Sequence, residues 1–246
     1  MCIRDSRQTL LLAQWQFRRQ SQALPLVIVV QVFLSIATVL GYGLLIGNPT
    51  PEFALYLATG APTITLISVG LIMTPQVVAQ SKTEGSLDWM RTLPVPRPLF
   101  LFSDLLVWSL LALPGMVLGV VAGVLRFHVT LSIAPWIVAA ALLVSVTSAA
   151  VGEAMATLLP PAVAQIITQM LVFIVLLFTP VSFPADRLPG WLATAHEYLP
   201  VEPMAQLIRA GLAQDHFAMP GRALVVLILW CVAPVLGAVA ALRHRH

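Results

Sequence analysis

Residues 24–46 read LPLVIVVQVFLSIATVLGYGLLI, a stretch that contains no Asp, Glu, Lys or Arg. A helix needs about 20 mostly apolar residues to cross the roughly 30 Å hydrocarbon core of a bilayer. Unpaired backbone groups are costly in lipid, so helices are the expected form. Further blocks of this kind lie at 53–78, 99–125, 131–159, 162–181 and 223–242. The sequence therefore predicts an all-α polytopic membrane protein with six transmembrane helices, numbered here as spans 1 to 6.

The composition supports the same class. Hydrophobic residues make up 59% of the 246 positions and charged residues only 9%, whereas soluble domains carry about 25% charged residues. The basic residues are scattered at the ends of the apolar blocks, so the net charge of +3 does not indicate a nucleic-acid partner. Cys2 and Cys231 have neither a disulfide framework nor metal-ligand spacing. We interpret residues 1–7 as a non-native or disordered start, and 8–246 as a single transmembrane domain.

The distribution of Lys and Arg predicts the orientation, because cytoplasmic loops carry an excess of these residues. If the N-terminus is cytoplasmic, the external regions hold four, namely Arg126, Arg187, Arg209 and Arg222. The internal regions then hold nine, or eight without Arg4: Arg4, Arg7, Arg18, Arg19, Lys82, Arg91, Arg97, Arg243 and Arg245. Both termini are therefore expected to be cytoplasmic.

The connection between spans 2 and 3, residues 79–97, is expected to form a short cytoplasmic helix. Ser81 and Glu84 have the spacing of a capping box, and Pro94 would end the helix. Its apolar positions are Leu87, Trp89, Met90 and Leu93, and its charged ones include Asp88 and Arg91. Such a helix could dock on a protein partner, or it could lie among the lipid headgroups.

The connection between spans 5 and 6, residues 182–222, is expected to lie outside the cell and to contain two amphipathic helices. Their apolar positions recur at helical spacing from Leu188 to Leu199 and from Met204 to Leu212. Pro184, Pro189, Pro200 and Pro203 divide the segment into pieces too short to cross a bilayer. These helices could form a gate in the membrane domain or simply cover the bundle. The adjacent pair His196-Glu197 is interpreted as interfacial rather than catalytic.

Small residues follow one face of two spans. Span 3 carries Gly115, Gly119 and Gly123, and span 4 carries Gly152 between Ser148 and Ala156. Helix backbones approach closely where such residues recur at every fourth position. These glycines are therefore predicted to be packing positions.

Glu153 is the one acid well inside a span. Insertion of a charged residue costs at least about 2.5 kcal/mol, so this side chain should face protein or water. It could serve a pathway or conformational change, or form a structural hydrogen bond. Gln165 and Gln169 lie on one face of span 5 at similar depth and are candidate partners. Asp104 is interpreted as a solvated residue at the membrane boundary.

The chain lacks the sequence motifs of an enzyme that binds ATP. Lys82 is its only lysine and follows Gln80-Ser81, so there is no glycine-rich P-loop. There is also no Gly-x-Ser-x-Gly or His-Glu-x-x-His motif. The chain is therefore not expected to be an enzyme or to carry a cofactor.

Three stretches, residues 84–97, 183–192 and 199–209, resemble in order and spacing the type 2 ATP-binding-cassette (ABC) permeases, the six-span subunits of exporters. The resemblance implies that Glu84, Leu87, Trp89, Met90 and Arg91 belong to a coupling helix that docks on a separate ATPase. It also implies that the external segment is a hairpin capping the exit, with the positions Pro184, Pro189, Trp191, Pro200 and Arg209. Residues 8–20 would be the family's interfacial helix.

The implied function is export of an apolar or amphipathic substrate across a bacterial plasma (inner) membrane. ATP-Mg would be bound by a partner ABC ATPase, and a second permease copy would complete a homo- or heterodimer within the lipid bilayer. Two other classes remain open. A stand-alone secondary transporter could use Glu153. An intramembrane enzyme would need a nucleophile–base set that the sequence does not contain.

Overall fold

The computed structural model describes residues 14–15, 18, 24–47, 49–85, 97–219 and 221–244. Within them, six helices are long and apolar enough to cross a membrane, and no β-strand is formed. Their bounds are Leu24–Ile46, Pro51–Thr83, Arg97–Phe127, Ile137–Leu158, Pro161–Phe178 and Gly221–His244. The predicted all-α polytopic fold with six spans is confirmed.

Span 2 is a composite helix that is longer than predicted. It runs as an α-helix over Pro51–Ser68, as a π-helix over Val69–Met73 and again as an α-helix over Thr74–Thr83. Pro75 explains the wide turn, because proline lacks an N–H and its ring displaces the carbonyl four residues earlier. The Thr74 hydroxyl donates to the Val69 carbonyl across this turn (3.2 Å).

Extended pairing sets the start of span 4, and prolines set the boundary between spans 4 and 5 and the end of span 5. Span 4 begins at Ile137 rather than at 131, because residues 132–134 are held in extended pairing with the segment around Ala213. The Ala134 amide donates to the Gly211 carbonyl (2.8 Å). Span 5 ends at Phe178, since Thr179 precedes a proline and takes the extended conformation. The predicted tight turn at 159–161 is confirmed: Leu159 is extended and Pro160 is the N-cap of span 5.

Span 2 forms the centre of the bundle. It packs against spans 1 and 3 along its first half, and against spans 4 and 5 from its π-helical turn onward. Span 4 packs closely against span 6. Most of span 2 is buried within the chain, whereas most of spans 1, 5 and 6 is exposed at the periphery. The exposed faces of the outer spans are mostly apolar, as contact with lipid or another membrane subunit requires.

The segment between spans 5 and 6 forms the two short helices predicted for it. A 3₁₀ turn over Ala185–Arg187 leads into the first hairpin helix, Gly190–Tyr198, which is followed by the second hairpin helix, Val201–Leu212. We call this end of the bundle the hairpin end. The opposite end, where span 2 stops at Thr83 and span 4 at Leu158, is called the Lys82 end.

Candidate functional site

At the Lys82 end, a lysine of span 2 closes the end of span 4. The Lys82 ammonium donates to the carbonyls of Ala156, Thr157 (3.3 Å) and Leu159 (3.4 Å). The last carbonyls of a helix have no partner within the helix and form the negative end of its dipole. A cation at this position therefore stabilises span 4 and ties its end to span 2.

Ser81 does not begin a helix at Glu84, contrary to the capping-box prediction, because it lies within the last part of span 2, Thr74–Thr83. Glu84 comes after the end of that helix. It is the C-cap of span 2, and its side chain accepts a hydrogen bond from Gln80 (2.6 Å). Gly85 follows with φ +72°, the left-handed conformation that commonly ends a helix. Leu87, Trp89, Met90 and Arg91 lie outside the described residues, so their coupling role stays a prediction.

Glu153 is partly buried and lies near two other ionisable groups. Asp104 of span 3 and Lys82 of span 2 are both close enough to act on it electrostatically. One of its carboxylate oxygens, Oε2, is buried and has no hydrogen-bond partner in the structure. Asp104 is buried, which corrects its interpretation as a solvated boundary residue. Span 3 begins at Arg97, so Asp104 lies about 10 Å from the first residue of the helix, inside the bundle.

Gln165 and Gln169 are not partners of Glu153. They line a groove of about 680 Å³ between spans 2 and 5, together with Gln76, Gln80, Thr83, Ile166, Met170 and Phe173. The sequence predicts that the two glutamines share one face of span 5, but not the direction of that face: span 5 packs mainly against the second half of span 2 and only slightly against span 4. Gln80, Gln165 and Gln169 are exposed on the outside of this single chain.

The glycines of span 3 lie against spans 1 and 2. A Cβ atom on Gly119 would come within 2.7 Å of the Pro62 Cα atom, and one on Gly123 within 2.9 Å of the Ala58 Cα atom. A Cβ on Gly115 would meet the side chain of Gln31 in span 1 (2.5 Å). At Gly119 and Gly123 the backbone of span 2 leaves no room for a side chain, whereas at Gly115 the end of the Gln31 side chain would have to move.

Gly152 of span 4 meets Gly70 of span 2. A Cβ on Gly152 would collide with the Gly70 carbonyl oxygen, and one on Gly70 would collide with Ser148 and the Ala149 amide. Gly70 lies in the π-helical turn, which brings the two backbones together. Sequence reasoning missed Gly70, because no second small residue precedes it at helical spacing in the way Gly119 follows Gly115.

Prolines delimit the hairpin. Pro184 precedes the 3₁₀ turn, Pro189 is the N-cap of the first hairpin helix, and Pro200 is the N-cap of the second. Trp191 is 75% exposed on the first hairpin helix. The second hairpin helix, in contrast, is almost wholly buried against spans 2, 4 and 6. It is therefore part of the bundle core and not an interfacial helix.

Arg209 is the buried cation of this end. It is 5% exposed, its Nη2 donates to the Val181 carbonyl (2.6 Å), and its guanidinium lies 4.1 Å from the ring centre of Tyr56. The Phe217 ring is 5.6 Å away. Burial lowers the pKa of Arg209 to about 10, so it remains charged at neutral pH. The sequence placed Arg209 on the hairpin but could not show that its partners are aromatic rings and a carbonyl.

Two neighbours of Arg209 on the hairpin are also buried. Burial raises the pKa of Glu202, whose side chain accepts a hydrogen bond from Gln206 (2.9 Å). His196 is 4% exposed, and burial lowers its pKa, so its interpretation as an interfacial residue is wrong. Glu197 does lie at the surface, where it forms an ion pair with Arg222 (2.8 Å).

The six spans and the hairpin together agree with a sequence comparison. The family described as ABC-2 type transporter matches residues 7–213. The chain belongs to the ABC-2 type transporter family. The resemblance to type 2 ABC permeases is thereby confirmed, and the chain is a multi-pass permease subunit of an ABC transporter. A search of curated proteins found no significant match to this permease.

The family match covers spans 1 to 5 and both hairpin helices, and it ends before span 6. Among the described residues of the permease, no group of three His, Cys, Asp or Glu side chains could hold a metal ion. The permease has an ionisable group that is at least partly buried at each end, Glu153 and Arg209, and a polar groove along spans 2 and 5.

Proposed function

We propose that this permease provides the membrane pathway of an ATP-driven exporter. It moves an apolar or amphipathic substrate outward across a bacterial plasma membrane, in which both termini are cytoplasmic. ATP-Mg is bound and hydrolysed by a separate ABC ATPase, since the sequence contains no P-loop. The family supports the role of transport subunit, and the excess of Lys and Arg at the Lys82 end supports the orientation.

The observation that carries this proposal is the groove between spans 2 and 5. Gln76 and Gln80 lie one helical turn apart on span 2, as Gln165 and Gln169 do on span 5. Gln169 is about 12 Å from the start of its helix, deep enough to lie within the hydrocarbon layer. Polar side chains at that depth are costly when they face lipid, and they mark packed interfaces or water-filled paths.

A second copy of the permease is the proposed cover of this groove. The apolar neighbours of the glutamines, Ile166, Met170 and Phe173, are also exposed on the single chain. Apposition of two such faces would enclose a cavity with both amide and apolar walls. Such a lining suits an amphipathic molecule, because each part of the substrate meets a matching surface.

Energy from ATP hydrolysis is proposed to enter at the Lys82 end. The coupling segment, residues 86–96, directly follows span 2, whose second half lines the groove. Movement of that segment by an ATPase would therefore act on the groove through one continuous helix.

Transport by a double variant tests the proposed path. The full complex with its ABC ATPase is placed in inside-out vesicles, and ATP-driven uptake of fluorescent amphiphiles is measured. Replacement of Gln165 and Gln169 by leucine should lower the uptake by about tenfold, comparable to the loss of one or two hydrogen bonds to substrate. Gln214→Leu, which changes an exposed glutamine at the hairpin end, should leave it unchanged. If the correctly assembled double variant takes up the amphiphile at the wild-type rate, the groove is not part of the transport path.

A further inference from the structure

A second cavity lies at the hairpin end, away from the groove. It has a volume of about 740 Å³ and is bounded by the turn between spans 1 and 2, the end of span 3 and the residues after the second hairpin helix. Its lining includes Glu52, Tyr56, Arg126, His128, His216 and Phe217. This volume is within the range of pockets that hold small ligands or headgroups.

Opposite charges share this cavity without pairing. Arg126 and Glu52 both line it, but among the described residues neither forms an ion pair or a side-chain hydrogen bond. The Arg126 guanidinium instead lies above the Phe127 ring (5.8 Å to its centre). Charged hydrogen bonds are the strong ones in recognition, so two unpaired groups favour a ligand that carries both a negative and a positive charge.

Two histidines, His128 and His216, add hydrogen-bonding groups to the cavity wall. His128 follows the last turn of span 3 and has φ +51°, the one positive φ of a non-glycine residue in the described part of the chain. A left-handed residue commonly ends a helix, and histidine is one of the non-glycine residues that adopt this conformation. The end of span 3 thereby places His128 in the cavity wall, near Arg126 in sequence.

The cavity lies at the ends of spans 1 and 3 and the start of span 2, where the headgroups of a bilayer are expected. Arg126 is in the last turn of span 3, and its guanidinium rests against Gly43 of span 1, with Nε 3.3 Å from where a Cβ atom would be. Beside these residues Leu44, Leu45 and Leu125 are 81%, 82% and 69% exposed, as expected for side chains in lipid. A charged cavity bordered by lipid-facing leucines is suited to a headgroup whose acyl chains extend along the helices.

We propose that this cavity binds the zwitterionic headgroup of a phospholipid with an ammonium group, such as phosphatidylethanolamine. The phosphate contacts Arg126, with His128 and His216 as further hydrogen-bonding groups. The ammonium contacts Glu52 at the start of span 2. The acyl chains lie against Leu44, Leu45 and Leu125. The site is distinct from the substrate groove, and the proposal holds whatever the permease transports.

Lipid titrations of the purified, delipidated full chain test this assignment by native mass spectrometry. The wild-type chain should bind phosphatidylethanolamine about tenfold more tightly than phosphatidylglycerol, because the latter offers no ammonium to Glu52. Arg126→Gln should lower the affinity for both lipids by about tenfold, through loss of the phosphate contact. Glu52→Gln should lower the affinity for phosphatidylethanolamine alone, so that the two lipids bind equally well.

Arg187→Gln is the matched control, because Arg187 is an exposed arginine at the same end that stacks on Phe53 (4.6 Å) and does not line the cavity. It should bind both lipids as the wild type does. Equal binding of the two lipids by the wild type, or an equal loss in Arg187→Gln, would overturn the site. Soluble phosphoethanolamine that competes as well as the lipid would show that the ligand is not a lipid and would overturn the assignment in that way.

Discussion

Lys82 joins two helices that are far apart in sequence. Its ammonium contacts the last carbonyls of span 4, while its backbone belongs to the final turn of span 2. Span 4 ends at a tight turn without a glycine cap, so these carbonyls would otherwise depend on water at the membrane boundary. The lysine therefore holds the end of span 4 next to the segment that follows span 2.

Removal of this charge should destabilise the permease. Lys82→Met keeps most of the side-chain length but leaves the span 4 carbonyls without their cation. We expect the free energy of unfolding to fall by about 1–3 kcal/mol. The matched control is Arg222→Gln, which removes an exposed cation paired with Glu197 and should cost less than about 1 kcal/mol. Thermal unfolding in detergent compares the two variants. Equal effects would show that the Lys82 contacts contribute no more than a surface ion pair.

Gly119 should not accept a side chain. Gly119→Leu would place atoms where the Pro62 backbone lies, so spans 2 and 3 would have to separate. Overpacking of this kind lowers the free energy of unfolding by about 1–3 kcal/mol or more, so we expect a lower unfolding temperature. Gly237→Leu is the control, because a Cβ there meets nothing within 4 Å. The packing account is wrong if both variants unfold like the wild type.

The polar residues show what a sequence can and cannot predict at this scale. Distance along a helix follows from the sequence, which puts Glu153 in the second half of span 4 and Gln165 and Gln169 in the first half of span 5. Their neighbours depend on how each helix is rotated against the others, which hydrophobic blocks with little amphipathicity do not indicate. The cluster of Glu153, Asp104 and Lys82 could therefore be found only in the structure.

At the scale of elements, the end of span 2 was predicted from the weaker of two signals. The Ser81–Glu84 spacing indicated a helix start, but Gly85 directly after Glu84 is the more specific signal of a helix end. The structure follows the glycine. The hairpin helices, in contrast, were predictable because prolines stand directly before both of them.

The coupling segment carries the sharpest prediction for an element. If residues 87–93 dock in a groove of the ATPase, Trp89 offers the largest apolar contact. Truncation of an interface hot spot of this type typically lowers the binding free energy by about 2 kcal/mol, which is roughly thirtyfold in affinity. Trp89→Ala should therefore weaken co-purification with the ATPase by about thirtyfold, while membrane insertion is retained.

Trp191→Ala is the control for the loss of a tryptophan, because Trp191 is exposed on the hairpin at the other end of the bundle. It should leave ATPase capture unchanged. A segment that lies among lipid headgroups instead would give normal capture by Trp89→Ala. It would also give blue-shifted Trp89 fluorescence in vesicles that contain no ATPase.

For the whole molecule, the six spans can be predicted from composition and block length alone. Every segment that crosses lipid must be apolar, about 20 residues long and able to satisfy its own backbone hydrogen bonds. The burial of the second hairpin helix does not follow in this way. Its amphipathic pattern indicates an apolar face, and the sequence does not say whether that face meets lipid or protein. The structure places it against spans 2, 4 and 6, where it closes the hairpin end of the bundle.

Each part of the molecule corresponds to one requirement of a transport subunit. The groove of spans 2 and 5 is open on the single chain, and the hairpin covers one end of the bundle. The proposed coupling segment follows span 2 in the sequence. The sequence contains no P-loop with which the chain could use ATP itself. The central claim is therefore that transport requires an assembly with a separate ATPase.

ATP hydrolysis and substrate movement, measured with the same vesicle preparations, test that claim most directly. The purified permease is reconstituted alone and together with the ABC ATPase that co-purifies with it. Our account predicts no ATP hydrolysis and no uptake of the amphiphile by the permease alone, and ATP-dependent uptake by the complex. ATP hydrolysis by the permease alone, or uptake driven without the ATPase by an ion gradient, would contradict it.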